Sequence, residues 1–394
     1  MPPVPEPLPD GGVPPPPLRI IAAQWLRIGV TGFGGPPAHI TLLRELCVTR
    51  RRWIDESEFT DGIAACNLLP GPASTQLAIF CAWRVRGRLG ALLGGAAFIL
   101  PGLIVILALA VLFLTGTPPL WVRAAGAGAG AAVAAVAVQA GTSLLPASWR
   151  RAATRAGRVR WTVYLLAGAA AAATIGPWLV LVLVAAGLIE VFAATGGVRR
   201  RPVPVLPVLA AAGTGASVLL SVAWVAIKVG ALSYGGGFVI IPLMQSDAVN
   251  RYHWMTSAQF LNAVALGQVT PGPVVQTVAV VGYAAAGIGG GLLASLVAFT
   301  PSFTFVLLGA DRFDRLRGNQ RAQAFLSGAG PAAIGAILGS AIPLALALTR
   351  TWQYAVLAGA AILLLALRRG VVLTLLAAAA VGIVIGLAGG PVPH

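Results

Sequence analysis

The chain has 394 residues, 58% of them hydrophobic and only 10% charged, with a mean hydropathy of +0.87. A soluble domain carries roughly 25% charged residues, so that class is excluded. The net charge of +16 comes from arginine clusters between long neutral stretches, which marks cytoplasmic loops of a polytopic membrane protein and not a nucleic-acid face.

Met1–Pro17 holds nine prolines. It lacks the basic start and cleavage site of a signal peptide, so a disordered tail is expected. A spanning segment is expected at 18–43, broken near Gly34–Pro37, then a helical hairpin at 57–86 broken at Pro70–Gly71–Pro72. Crossing a bilayer takes about 20 mostly apolar residues, and further spans fall near 89–115, 119–146, 161–176 and 177–196. A Pro-rich linker occupies 202–217. Counterpart spans follow near 218–245, 257–286 (a second hairpin), 289–310, 324–349, 352–367 and 370–390.

Sliding the chain by 201 residues aligns Gly29–Pro72 with Gly230–Pro273 without a gap, and 13 of 44 positions are identical. The matches include Gly34/Gly235, Gly35/Gly236, Trp53/Trp254, Phe59/Phe260 and the whole Pro-Gly-Pro. Apolar composition alone would not align such residues at one offset. Six arginines flank the first hairpin (Arg50–Arg52, Arg84, Arg86, Arg88), whereas Arg251 alone flanks the second. Homologous loops so unequal in charge belong on opposite sides of the membrane. The expected fold is therefore all-α and polytopic, with two homologous inverted-topology repeats at 18–201 and 218–394. Each repeat should hold about five spanning helices plus a broken re-entrant hairpin.

Inverted repeats with broken helices are a transporter device. Pro72 and Pro273 can each open a half-helix, leaving the N–H groups of Ala73–Thr75 and Val274–Gln276 facing the break. Such an end attracts anions, with Thr75, Gln76, Gln276 and Thr277 as added donors; the bland alternative is a simple kink. The glycines of Gly32–Pro37 and Tyr234–Gly237 serve either a second break or close helix packing. Arg27 and Lys228 stand at matching positions inside apolar segments, where a cation is costly and marks a pathway or a partner. Glu190 is the one obvious acid in a neutral run. Two cations and several helix N-termini imply an anionic substrate. Asp55, Glu56, Glu58 and Asp61 fit a helix N-terminus, with Asp61 and His39 as candidate proton relays. Cys47, Cys66 and Cys81 with His39, His253 and His394 match no metal-ligand spacing, so no metal or cofactor is expected. An intramembrane enzyme would need a nucleophile–base pair or a metal pair, and neither spacing occurs.

At these residues the chain resembles the chromate ion transporter family in its long, two-domain form. The resemblance rests on LRIGVTGFGGPPAH, RRRWIDESEF, LLPGPASTQ, GRLGA and FILP in the first copy. In the second it rests on IKVGALSYGGG, RYHW, TPGPVVQ and AFTPSF. It implies export of chromate linked to the membrane potential or to protons, giving chromate resistance, with sulfate as the look-alike oxyanion. Carried over motif by motif, Arg27, Gly34, Gly35, His39, Pro70, Gly71, Pro72 and Gln76 form one site region. Lys228, Gly235, Gly236, Pro271, Gly272 and Pro273 form the other. The second copy departs at Gly237 and Ile240, where the first has Pro36 and His39. The partners implied are the oxyanion and the lipid bilayer of the cytoplasmic membrane, with no nucleic acid; a homodimer is one open assembly.

Overall fold

The computed structural model describes residues 16–67, 69, 71–114, 118–174, 179–194, 217–233, 239–309 and 319–393. The expected tail and linker lie almost wholly outside the described residues. Every regular element among those described is helical. The first half contains α1 (Leu18–Thr31), α2 (Pro36–Arg44, continued by a π-helical turn Glu45–Arg50) and α3 (Glu56–Cys66). It continues with α4 (Ala73–Leu114), α5 (Leu120–Arg151), α6 (Arg155–Thr174) and α7 (Leu179–Ala194). The second half repeats the order: α8 (Val218–Leu232), α9 (Ile240–Gln245, continued by a π-helical turn Ser246–Arg251) and α10 (Ser257–Val269). Then come α11 (Thr277–Gly309, preceded by a 3₁₀ turn Val274–Gln276), α12 (Gln320–Leu346), α13 (Thr351–Ala361, then π-helical Ile362–Ala366) and α14 (Val371–Leu387). Four helices, α4, α5, α11 with its leading turn and α12, are long and apolar enough to cross a membrane, and several shorter apolar helices accompany them. The chain is a multi-pass membrane protein.

The repeat holds at backbone resolution. The π-helical turns Glu45–Arg50 and Ser246–Arg251 are each followed two residues on by a residue at φ 51°, Arg52 and His253. The next residue then reaches back, Trp53 N–H to Cys47 O at 2.7 Å and Trp254 N–H to Ala248 O at 2.8 Å. Each long helix reverses in one step at Arg86–Gly87 (φ −147° and 62°) and at Ala286–Gly287 (φ −150° and 62°). Only glycine takes such a positive φ without strain. Beyond the turn the chain folds back on itself, since Gly90 packs on the Ala82 carbonyl and Gly290 on that of Gly282. The arms 73–85 and 88–114 are thus antiparallel. With α3, the arm 73–85 forms the expected hairpin. Eleven residues of α3 rise about 16 Å, half of a bilayer core near 30 Å.

One expectation fails. The segment 18–43 is not a single broken crossing, because α2 turns back along α1. Trp53 stacks on Trp25 at 6.4 Å between centroids, and His39 reaches the Gly32 carbonyl. The same reversal brings Asp247 against Lys228. Gly34 (φ 100°) and Gly35 (φ 73°) permit it, and Pro36 restarts the helix. The first segment of each half is therefore a hairpin.

Small residues bring the crossings together, as expected where lipid supplies no hydrophobic drive. Gly168 packs on the Ala332 carbonyl, Gly335 on Leu165 O and Gly128 on Ala378 O. Leu100, Ile104, Leu296, Leu376 and Val384 point outward, as lipid-facing side chains do. A Cβ at Gly335 would sit 1.9 Å from the Leu165 carbonyl, whereas at Gly359 it would meet nothing within 4 Å. Gly335→Ala is expected to destabilise by about 1–3 kcal/mol, and Gly359→Ala to stabilise by up to about 1 kcal/mol. Thermal unfolding in detergent should therefore move the two melting temperatures in opposite directions.

Candidate functional site

The second Pro-Gly-Pro is closed by the first half. The Gly272 N–H donates to the Gly32 carbonyl at 3.0 Å, joining the second Pro-Gly-Pro to the first glycine break. Gln276 Nε2 donates to the Ile99 carbonyl at 2.5 Å. Gly102 lies against Pro271 O, with 2.2 Å left for a Cβ. By the pseudo-symmetric contacts, Gly71 (φ 124°) packs against Gly230 O and Ser302 Oγ. Unwound backbone at bilayer depth survives only where protein or a cavity surrounds it, and here the partner half surrounds it.

The donors are fewer than the sequence suggests. Pro72 O accepts from the Thr75 and Gln76 N–H groups at 2.9 and 3.0 Å, and Pro273 O accepts from that of Gln276 at 3.0 Å. The N–H groups left facing each break are therefore those of Ala73 and Ser74, and of Val274 and Val275. Thr277 Oγ1 is turned back to Val274 O at 2.8 Å, so its hydroxyl proton is engaged. Polar atoms do converge on the breaks, however. Thr75 Oγ1, Ser233 Oγ, Gln276 Oε1 and Ser302 Oγ are buried without a hydrogen-bond partner. Buried polar atoms are normally satisfied, and these four belong to residues at or near the two breaks.

His39 is buried, with Nδ1 3.2 Å from Ser74 Oγ and Nε2 3.0 Å from Gly32 O. A carbonyl only accepts, so Nε2 carries the proton and Nδ1 accepts from the serine. The ring sits edge-on to Phe98 and ties the glycine break to the half-helix after the first Pro-Gly-Pro. Gly34 is exposed, while Gly35 lies 3.8 Å from Val274. Gln76, Pro72, Pro271 and Pro273 are buried in the crossing, and Asp61 is half-buried on α3. Gly235, Gly236 and Pro70 lie outside the described residues.

The two cations differ. Arg27 lies on the exposed face of α1, with no acidic partner among the described residues. Lys228 is paired with Asp247 and lies 5.6 Å from the Trp224 ring. Sequence alone missed Asp247, because it stands close to Arg251 at a helix end and meets Lys228 only through the reversal. Glu190 is bound by Arg160, whose Nε and Nη2 each donate at 2.8 Å, and by the Tyr164 hydroxyl at 3.1 Å. It pairs with neither Arg27 nor Lys228.

Two cavities approach the crossing. One of about 440 Å³ lies between α5, α6, α7 and α12, lined by Arg151, Arg160, Tyr164 and Glu190, and reaches Gly71 and Ala73. The other, about 330 Å³, is lined by Arg123, Asn262, Thr349 and Gln353. Its walls are the end of α4, α5, α10 and the α12–α13 turn.

Comparison with known proteins finds relatives of both halves. The family model described as "Chromate transporter" matches residues 20–191 and 220–383. The "Chromate transport protein" of Cupriavidus metallidurans is 32% identical over 339 residues, 83% of this chain and 82% of that protein. The protein of the same name from Pseudomonas aeruginosa is 32% identical over 350 residues, 84% of this chain and 82% of its own length. A "Probable chromate transport protein" of Synechococcus elongatus is 28% identical, covering 83% of this chain and 84% of its own length. No solved structure matches.

The crossing can be tested sterically. Gly102→Val would drive a side chain into the Pro271 carbonyl and Gln276 Oε1. Transport is expected to fall to background with membrane yield within about twofold, because the clash of about 1–3 kcal/mol is local. Unaltered transport would mean that the crossing plays no part.

Proposed function

The chain belongs to the chromate transporter family, and from that premise we propose that it exports chromate across the cytoplasmic membrane. The family is one of transporters, so the chain is not an enzyme. The observation that carries the proposal is the crossing itself, where two symmetric helix breaks and four unpartnered polar atoms meet between basic residues. Chromate is a tetrahedral dianion, suited to convergent hydroxyl, amide and N–H donors with a nearby cation. Sulfate shares its size and charge and should compete.

The halves are proposed to form an inverted repeat. The arm 88–114 of α4 lies antiparallel to its counterpart in α11, with Gly95 against Phe303 and Gly291 against Leu107. Corresponding helices that run oppositely along the membrane normal are related by an axis in its plane. The basic turn at Arg84–Arg88 then faces the cytoplasm and the neutral turn at Ala286–Gly287 the outside, as the positive-inside rule requires. The larger cavity, with its arginines, becomes the cytoplasmic vestibule, and the smaller one the external vestibule. Alternating access would open them in turn around the crossing.

Arg27 supports an aqueous path. A guanidinium facing lipid at this depth costs at least about 2.5–3.5 kcal/mol, so its exposed face is assigned to a water-filled crevice beside the first break. Lys228 and the residues of both Pro-Gly-Pro breaks complete the proposed site, with Thr75 and Gln76 as donors and Gln276 tying the second break to the Ile99 carbonyl. Gly34, Gly35, Gly235 and Gly236 let the backbone approach. His39 holds the site together, and proton linkage through His39 or Asp61 is a secondary proposal. A potential of 100 mV, inside negative, favours outward movement of two negative charges by about 4.6 kcal/mol. The potential therefore suffices as the driving force, and a proton gradient would add to it or oppose it according to the coupling.

Cells expressing the protein should accumulate less chromate, and collapsing the potential should remove the difference; higher accumulation would reverse the direction. Arg27→Gln should weaken chromate affinity in proteoliposomes by more than about tenfold. Two unit charges 4 Å apart interact by roughly 4 kcal/mol at an effective dielectric constant of 20, and half of that exceeds a factor of ten. Unchanged affinity would remove Arg27 from the site. Accessibility tags at the Gly87 and Gly287 turns should report opposite sides of the membrane.

A further inference from the structure

Among the described residues Asp247 is the one carboxylate in the buried interior, with 2% of its surface exposed. One oxygen, Oδ2, is taken by Lys228. The other, Oδ1, has no hydrogen-bond partner. A buried carboxylate oxygen left bare is costly, and a proton would satisfy it. The pair is also peculiar to the second copy. Leu46 stands where Asp247 stands, and Arg27, the counterpart of Lys228, has no acid beside it. A pair that served only to stabilise the hairpin would be needed in both copies, because the same reversal is built in both.

We propose that Asp247 is a proton switch on Lys228, so that a proton and an oxyanion bind this half of the site together. The proposal rests on the oxyanion-transport reading. With Asp247 ionised, Lys228 is neutralised and offers little to a dianion. When Oδ1 takes a proton from water, the ion pair becomes a neutral acid beside a free ammonium, and the ammonium can turn to the anion. The bound dianion in turn disfavours the ionised carboxylate. The two ligands strengthen each other, and the linkage is reciprocal.

The surroundings leave few other groups to titrate. Facing elements contribute Lys228 on α8, nothing titratable on α9 or α10, Tyr283 on α11 and Arg321 at the far end of α12. Its own turn and the residues after it carry Arg251, Tyr252 and His253. The sign has a consequence for transport. A proton that accompanies the dianion reduces the charge moved per cycle from two to one, and an acidic exterior opposes export instead of driving it.

The test uses purified full-length protein in detergent and radiolabelled sulfate, which remains a dianion throughout the pH series, whereas chromate takes up a proton near neutrality. Wild-type affinity should rise as pH falls, by up to about tenfold per pH unit where one proton is linked. Asp247→Asn should bind at all pH values as the wild type does at its acid limit, with a flat profile. Asp247→Glu should restore a slope with a shifted midpoint. A flat wild-type profile, an unchanged slope in Asp247→Asn, or loss of binding in a monodisperse Asp247→Asn protein would each overturn the switch. Should Asp247→Asn not fold, the glutamate variant decides: a shifted midpoint supports the switch and an unshifted one overturns it. Wild-type protein that binds sulfate at no pH would instead count against the oxyanion reading itself, and the switch would fall with it.

Discussion

The structure depends on one constraint, that backbone groups freed by a helix break have no water to turn to inside a bilayer. This chain breaks its helices four times near its centre and meets the constraint by closing the second Pro-Gly-Pro with the first half. Gly272 N–H finds Gly32 O, and Gln276 Nε2 finds Ile99 O. Closure at that range needs glycine on the facing surfaces. Across the halves Gly102 against Pro271 O leaves 2.2 Å for a Cβ, and within each half Gly29 against Phe98 O and Gly230 against Ala298 O leave 2.6 and 2.0 Å. The motif glycines therefore act chiefly as surfaces that admit a neighbouring carbonyl. The second half could not satisfy its own break alone, so the two copies are bound to fold together.

Much of this was legible in the sequence, for identifiable reasons. Pro-Gly-Pro and the one-step turn at Gly87 are local signals, because proline fixes φ and glycine alone takes the positive value. Repetition at one offset turned weak local signals into a strong one. The reversal of α2 along α1 was not legible. A Gly-Gly-Pro segment permits a kink or a full turn equally, and the choice is made by Trp25 stacking on Trp53 and His39 reaching back to Gly32, contacts that sequence spacing does not encode. Every error about partners followed from that one. Had the helix that starts at 218 run straight on past 245, Lys228 and Asp247 would stand some 20 Å apart or more at 1.5 Å per residue; folded back, they touch.

The donors were overcounted for a related reason. A helix N-terminus offers up to four free N–H groups, but Pro72 and Pro273 stand one position outside their helices; the Pro72 carbonyl already accepts the third and fourth, and the Pro273 carbonyl the third. What remains at each break is two N–H groups and side-chain oxygens. Such a set favours an acceptor-rich guest but does not carry enough charge to balance a dianion. Balance must come from the cations, which makes their treatment by the rest of the fold decisive.

Here the two copies part company. The backbone repeats down to matching φ values, yet the charges do not: His39 faces Ile240 across the alignment, Leu46 faces Asp247, and the exposed Arg27 faces the paired Lys228. Drift in a structural element would blur the backbone along with the side chains. Retaining the breaks while changing what neutralises the cation beside each one leaves a scaffold that is symmetric in shape and asymmetric in charge. A transporter needs its two access states to be similar in geometry, so that neither is a trap, and different in affinity, so that substrate is taken up on one side and released on the other. In the proposed mechanism, symmetry of the breaks would serve the first requirement, and the uneven pairing of Arg27 and Lys228 the second.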